Sequence, residues 1–338
     1  MKHSFHFLFF LASVLLLCGL SCKPVMPLNA VAQRLVDSLQ KDTDYYNTEH
    51  DEFSLTPLPQ CTASRQLARM CTLAELQQLS TDHESPVVRM IAFRALLEQN
   101  AHEAVRLTLQ NIRDTTQVWV SQYCDYFRDN LSNQRLFLIF GKQLQRKILP
   151  RDTLAVDSVL FCTPGLKHMN LQVDRVVSRK PTTEANYQRF RALAKDDHSK
   201  DALVKLAAYR RLQDTTIIKQ ALSCCCPVKN QKKFAVDDIL LTDYALLAVE
   251  VWPHKAFVPE LKLLGESFLL SYHGNDIWLS RLFICLRKYH APWADALMWQ
   301  SVLKAKPLLH SKDSDICLWA REILAAYKAS KKYGYRER

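Results

Sequence analysis

Apolar residues recur at helical spacing along most of the chain. In residues 85–99 they fall at i, i+1, i+4 and i+5, with Arg89, Arg94 and Glu98 off the stripe. This pattern predicts an amphipathic helix, and Pro86 suits its first turn. Similar patterns predict further helices over 30–41, 72–79, 101–112, 116–130, 133–147, 183–195, 236–251, 258–273, 276–290, 294–304 and 313–332. The sequence therefore predicts an all-α fold.

Two stretches of the chain share a motif. From Asp82 the sequence reads Asp-x-x-x-Pro-Val-Val-Arg-x-x-Ala-x-x-x-Leu, and residues 197–224 echo it with Lys205 in the place of Arg89. The motif resembles the first helix of a HEAT repeat, most closely over 82–112. The resemblance implies an irregular helix-turn-helix superhelix or a right-angled helical array, with a concave face for partners.

A second echo concerns Asp-Thr pairs. Asp114, Asp152 and Asp214 are each followed by Thr and stand ten residues before a cysteine. An aspartate side chain accepts hydrogen bonds from the free N–H groups at a helix start. We therefore expect these aspartates to cap three similar helices.

The amino terminus has the features of an export signal. Lys2 precedes an apolar run over residues 7–20 that is short for a membrane span. The run ends at Gly-Leu-Ser before Cys22, which resembles the lipobox of bacterial lipoproteins, although Gly19 and Leu20 depart from its usual residues. The resemblance implies acylation of Cys22 and a protein anchored by lipid on the extracytoplasmic side of the cell envelope. Cleavage by an ordinary signal peptidase, giving a secreted protein, and an uncleaved N-terminal anchor are the alternatives.

Irregular stretches divide the chain. Residues 163–182 hold two prolines, a glycine and an alternating Leu-Val-Val pattern, which predicts a loop, a hinge or a short strand pair. The predicted organisation is a signal peptide over 1–21, a tether with an N-terminal helix over 22–64, a helical-repeat region over 65–162, the hinge over 163–182, a C-terminal helical region over 183–332 and a frayed tail over 333–338.

The formal net charge of +11 is concentrated in the middle of the chain. Residues 135–233 hold 20 Lys and Arg against 8 Asp and Glu. Such an excess suits an anionic partner, either an envelope protein or an anionic lipid or glycan. A basic helical surface without a dedicated partner is the alternative. The predicted export, and the lack of sequence motifs that recognise DNA or RNA, argue against a nucleic-acid partner. The predicted binding residues are Arg189, Arg191, Lys195, Lys205, Arg210, Arg211, Lys219, Lys229, Lys232 and Lys233.

No motif predicts an enzyme or a cofactor. The six glycines lie at least nine residues apart, which excludes dinucleotide-binding and Walker A loops. The sequence has no C-x-x-C or H-E-x-x-H, so no metal site is expected. We therefore predict a non-catalytic scaffold that binds a partner protein or an anionic envelope component. An exported all-α enzyme with an unrecognised site, or a membrane-surface or glycan binder without a protein partner, are the alternatives.

Overall fold

The computed structural model describes residues 27–46, 58–122, 125–141, 148–225, 236–269 and 279–331. Of these residues, 76% are helical, in 16 α-helices beside one three-stranded sheet, which confirms the all-α fold class. Cys22, Lys229, Lys232, Lys233, the predicted signal peptide over 1–21 and the predicted tail over 333–338 lie outside the described residues. Within the described part, no helix has the length and apolar content to cross a membrane. The chain divides into two compact units, 1–153 and 154–338.

The first unit packs helices and a small sheet around one central helix. Its elements in chain order are α1 Ala30–Leu39, β1 Asp44–Tyr46, α2 Pro59–Met70, α3 Leu73–Asp82, α4 Pro86–Gln99, α5 Ala101–Gln110, β2 Gln117–Gln122, β3 Asp125–Asn130 and α6 Leu131–Phe140. Helix α7, Pro150–Cys162, contains the boundary between the units.

The central helix of the first unit is α4. It packs against α2, α3, α5 and α6. Residues 90–97 are all buried, including Arg94, so α4 is not the half-exposed amphipathic helix that its sequence stripe predicted. The start of the helix agrees with its sequence, because the Ser85 side chain accepts from the N–H of Val88 and Pro86 occupies the first turn.

The sheet occupies a segment that the sequence analysis assigned to a helix. Strands β2 and β3 form an antiparallel hairpin over part of residues 116–130, and β1 pairs with β2 in parallel. Val118 and Val120 are buried on one face, while Trp119 stacks on Tyr126 from the other, with ring centroids 4.7 Å apart. Alternating β-branched and aromatic residues favour a strand, so the helix prediction was wrong here.

The second unit consists of helices. They are α8 Asn170–Arg179, α9 Glu184–Asp196, α10 Lys200–Ala207, α11 Thr215–Ser223, α12 Val236–Val251, α13 Val258–Phe268, α14 Leu279–Tyr289, α15 Pro292–Ala305 and α16 Ser314–Ser330, with short 3-10 turns at Lys167–Met169, Leu212–Asp214, Lys255–Phe257 and Lys306–His310.

Two features of this unit bear on the sequence expectations. Helix α12 packs against α10, α11 and α14, and residues 238–251 are buried or half-buried, which agrees with their largely apolar sequence. Residues 163–182 were expected to form a loop, hinge or strand pair, and that expectation was wrong for α8. The helix has three buried valines, Val173, Val176 and Val177. Their i, i+3, i+4 spacing matches one face of a helix.

Candidate functional site

The basic residues predicted to bind a partner fall at several places in the second unit. Lys205, Arg210 and Arg211 lie in or just after α10. The Lys205 Nζ donates a hydrogen bond to the backbone carbonyl of Lys180, 2.9 Å away. The turn that follows α10 therefore lies beside the turn between α8 and α9. We call the four cations Lys180, Lys205, Arg210 and Arg211 the basic edge.

Further hydrogen bonds hold the two turns of the basic edge together. The Tyr209 hydroxyl donates to the carbonyl of Thr183. The Arg211 Nη2 lies 2.6 Å from both carboxylate oxygens of Glu184. This hydrogen-bonded carboxylate raises the pKa of Arg211, so the guanidinium stays charged.

Aromatic rings lie under these cations. The Arg211 guanidinium carbon is 3.8 Å from the ring centroid of Tyr187, and the Lys180 Nζ is 5.3 Å from that of Phe161. Tyr187 and Tyr209 meet edge to face, with centroids 5.1 Å apart. A cation over an aromatic face is held without loss of charge. The layer therefore positions the cations while leaving them able to attract an anion.

Arg210 differs from its neighbours on the basic edge. Its backbone φ is +54°, in the left-handed region, and its side chain is exposed. Among the residues that the structure describes, its guanidinium has no hydrogen-bond or ion-pair partner. Arg210 is thus a free cation on a constrained backbone, next to Arg211 in the chain.

The remaining predicted cations do not all join the basic edge. Arg189 donates to the carbonyls of Phe161 and Thr163, and burial lowers its pKa. Its charge therefore serves to join α9 to the end of α7. Lys195 is exposed but sits eleven residues after Glu184 on α9, roughly 16 Å along the axis.

Two more of these cations are paired within the fold. Arg191 lies 3.0 Å from Asp214, and Lys219 lies 3.1 Å from Glu260. The structure therefore assembles part of the predicted set and assigns other members to structural ion pairs. Sequence spacing could not separate these roles, because each partner is more than 20 residues away in the chain.

The three Asp-Thr motifs share a role that their sequence did not reveal. Asp214 precedes α11 but makes no cap hydrogen bond, and its buried carboxylate accepts from Arg191 and from the Tyr187 hydroxyl. Asp114 precedes a strand and pairs with Arg89 and with the fully buried Arg135. In both cases the aspartate joins distant elements, so the expectation of helix caps was wrong there.

Asp152, in the first unit, also pairs with a side chain that is distant in the chain. It lies in the first turn of α7, and its buried carboxylate is 2.8 Å from the Nδ1 of His102. The His102 side chain is half exposed. A carboxylate orients an imidazole in this way in many hydrolases, but the pair alone supplies no nucleophile.

A second group of carboxylates was not recognised in the sequence. Asp174 accepts from the Ser199 hydroxyl and from the N–H of Asp201, and so ties α8 to the first turn of α10. Burial raises the pKa of Asp174 to about 6, and it also raises the pKa of Asp201. The sequence did not point to Asp174 because residues 163–182 were interpreted as a loop, a hinge or a strand pair.

The first unit has an acidic cavity of about 390 Å³ beside α1 and α3. Of its acids, Glu75 closes a capping box with Thr72, and Glu84 accepts from Gln40. Burial lowers the pKa of His83, which also borders the cavity. Both carboxylates therefore act in local structure.

The described His, Cys, Asp and Glu side chains form neither a metal site nor a disulfide. Within those ranges, no three His, Cys, Asp or Glu side chains are grouped so that they could hold a metal ion. The seven cysteines described are free thiols, and burial raises the pKa of Cys225 and of Cys285. These two thiols are therefore packed as small apolar side chains rather than as reactive groups.

A scan against protein-family models finds no match for this chain, and a search of curated proteins finds no similar sequence.

Proposed function

We propose that this protein is a membrane-tethered helical scaffold of the bacterial cell envelope that binds an acidic partner at the basic edge. The tether is acylated Cys22, facing an extracytoplasmic compartment, and the helix pairs are of HEAT-like type. The partner is an envelope protein or an anionic lipid or glycan. No cofactor or metal takes part. The proposal rests on the geometry of the basic edge and on the signal-like N-terminus.

The conformation of Arg210 is the observation that carries this proposal. A left-handed backbone costs a residue with a side chain roughly 1–2 kcal/mol, a cost that glycine avoids. Arginine at this position therefore works against stability, and it also places a second positive charge directly beside Arg211 in the chain. Strained backbone positions cluster at binding and active sites. His198 and His290 are left-handed as well, and of these three residues Arg210 is the one that lies at the basic edge. An anion at the basic edge would offset both costs.

The tether strengthens this argument. A protein held at a membrane meets other envelope components at high effective concentration, so a weak charged contact is enough for occupancy. Each cation close to an anionic surface contributes about 1 kcal/mol, and the attraction fades over roughly 8–10 Å. Lys180, Lys205 and Arg210 form no salt bridge to a described carboxylate, although the charge of Lys205 also acts on Asp201, and these three cations fit such a contact.

Binding to a soluble polyanion tests the proposal. We expect Arg210→Asn to weaken binding of inorganic polyphosphate at low salt about five-fold, because one contact of about 1 kcal/mol is lost. Asparagine tolerates the left-handed region, so the fold should persist. Lys195→Asn is the matched control, since it also removes one exposed positive charge, at the far end of α9. Equal weakening by both variants would show that only net charge matters.

The exported-enzyme alternative is favoured by one observation, the His102–Asp152 pair. A fluorophosphonate or chloromethyl ketone probe that labels the wild type but not His102→Gln would support it. Absence of labelling would leave the scaffold as the better explanation. Recovery of a partner protein at high salt would favour a protein ligand, whereas salt-sensitive binding to anionic vesicles would favour a membrane or glycan ligand.

A further inference from the structure

Helix α15 presents a second apolar surface on the side away from its core. Met298, Val302 and Ala305 are buried against the neighbouring helices. Trp299 and Leu303, one turn apart, are 49% and 51% exposed. Residues four apart lie on one face of a helix, so the two side chains form a single patch. We call Trp299 and Leu303 the α15 patch.

The surroundings of this patch are mainly basic, with one acidic side chain, Asp295, one turn before Trp299; it is 61% exposed and lies 3.6 Å from Arg287. Residues 296–312 contain three lysines and one histidine and no acidic residue. Lys304, Lys306 and Lys312 are exposed, and the Lys306 Nζ lies 5.6 Å from the ring centroid of Trp299. A tryptophan and a leucine bordered by lysines are complementary to an anionic bilayer, where the ring lies among headgroups and the ammonium groups meet phosphates.

The size of the patch also favours a bilayer. Trp299 and Leu303 together expose on the order of 200 Å² of side chain. A stable dimer of two protein chains buries about 800 Å² on each partner, so this pair is too small to be the core of such an interface. Insertion into a headgroup layer has no such minimum, because each apolar side chain partitions on its own.

We propose that the α15 patch inserts into the headgroup region of an anionic phospholipid bilayer and that the adjacent lysines contact lipid phosphates. The physiological role rests on the proposed tether at Cys22, which would keep the patch close to a membrane. The contact then orients the second unit at the surface. The intrinsic affinity of the patch for lipid does not depend on the tether and can be measured without it.

Vesicle partitioning tests the proposal. The protein would be the chain from residue 22 onward with Cys22→Ser, so that no acyl chain contributes. We expect it to bind vesicles of phosphatidylglycerol and phosphatidylethanolamine, and to bind phosphatidylcholine vesicles at least about ten-fold less. The double variant Trp299→Ser, Leu303→Ser should lose at least about ten-fold in partitioning to anionic vesicles.

Two further variants sharpen the result. Leu171→Ser removes a leucine that is 73% exposed in the same unit, and it should change partitioning less than two-fold. Trp299→Phe should retain partitioning but lose the part of the fluorescence that brominated lipids quench. Circular dichroism of each variant would verify the fold.

Equal partitioning of the wild type and the double variant would overturn the proposal. Concentration-dependent dimerisation that the double variant abolishes, without vesicle binding, would also overturn it and assign the patch to a second copy of the chain. The tether is tested separately by the intact mass of the N-terminus in membrane fractions. Polyphosphate binding tests the basic edge. Failure of either would leave the vesicle result unaffected.

Discussion

Replacing Asp174 with asparagine should stabilise the protein at neutral pH. Asp174 is 8% exposed, and burial raises the pKa of its carboxyl group from 3.8 to about 6. A carboxyl group whose pKa is raised by folding stabilises the folded state when it is protonated. Its contribution is therefore fully present below pH 4 and is lost as pH rises through 6. The shift corresponds to about 3 kcal/mol between the two limits.

The surroundings of Asp174 set the size of the effect. The Ser199 hydroxyl and the N–H of Asp201 donate to it, and Lys200 is an attractive charge, so all three lower its pKa. Burial and the charge of Asp201 raise it, and burial is the largest effect. An asparagine oxygen can still accept from Ser199 without the cost of a buried charge.

Urea unfolding of the wild type and Asp174→Asn between pH 4 and pH 8 measures this effect. We expect the difference in unfolding free energy to be near zero at pH 4 and to grow to about 3 kcal/mol in favour of the variant at pH 8. Asp174→Ala is the control, because it removes the charge and also the acceptor for Ser199. A variant that is less stable by the same amount at every pH would refute the reasoning.

Three further predictions concern the packing, and the urea unfolding midpoint of each variant tests them. Asp114→Ala should destabilise by about 3–5 kcal/mol, because it leaves the guanidinium of fully buried Arg135 without its carboxylate, and an unchanged midpoint would refute that role. Ala92→Leu should cost ~1–3 kcal/mol by overpacking α4, whereas Ala208→Leu at an exposed position should have little effect. Gly265→Ala should lower the free energy of unfolding by a similar ~1–3 kcal/mol, because its Cβ would overlap the side chain of Leu297 on α15. Full stability of this variant would mean that Leu297 moves aside.

Helical periodicity predicted most of the fold but misplaced the elements whose pattern was ambiguous. Residues 236–251 are largely apolar and form a helix, as expected. The hairpin over β2 and β3 was missed because Asp114 followed by Thr was interpreted as a helix cap. In the fold, Asp114 makes an ion pair with Arg135. A pattern of neighbouring residues cannot predict a contact between residues so far apart in the chain.

The proposed repeat does not match the fold at two points. Arg89 donates to the carbonyl of Ser80 near the end of α3, and Lys205 donates to that of Lys180 just after α8. The two contacts are not equivalent, because α3 directly precedes α4, whereas α9 lies between α8 and α10 in the chain. Ala92 is buried, but its counterpart Ala208 follows the last residue of α10 and is exposed, so the alignment fails there.

The candidate site was predictable only as a region. The count of lysines and arginines identified the middle of the chain, and Lys205, Arg210 and Arg211 do lie together. The carboxylate that pairs with Arg191 lies 23 residues away, and the left-handed backbone of Arg210 has no sequence signal. Net charge by segment therefore overstates the number of cations available to a ligand.

The burial of α4 has a consequence for the way the first unit folds. Helix α4 contacts elements from both sides of it in the chain, from α2 through α6. Its apolar faces stay uncovered until the chain to Phe140 is available, because α6 completes that packing. Partial structures of this unit would leave the apolar faces of α4 exposed to water. Because this exposure is unfavourable, the unit should fold cooperatively. In native-state hydrogen exchange, the amides of α4 should open only with global unfolding of the unit, while α1 exchanges through local fraying.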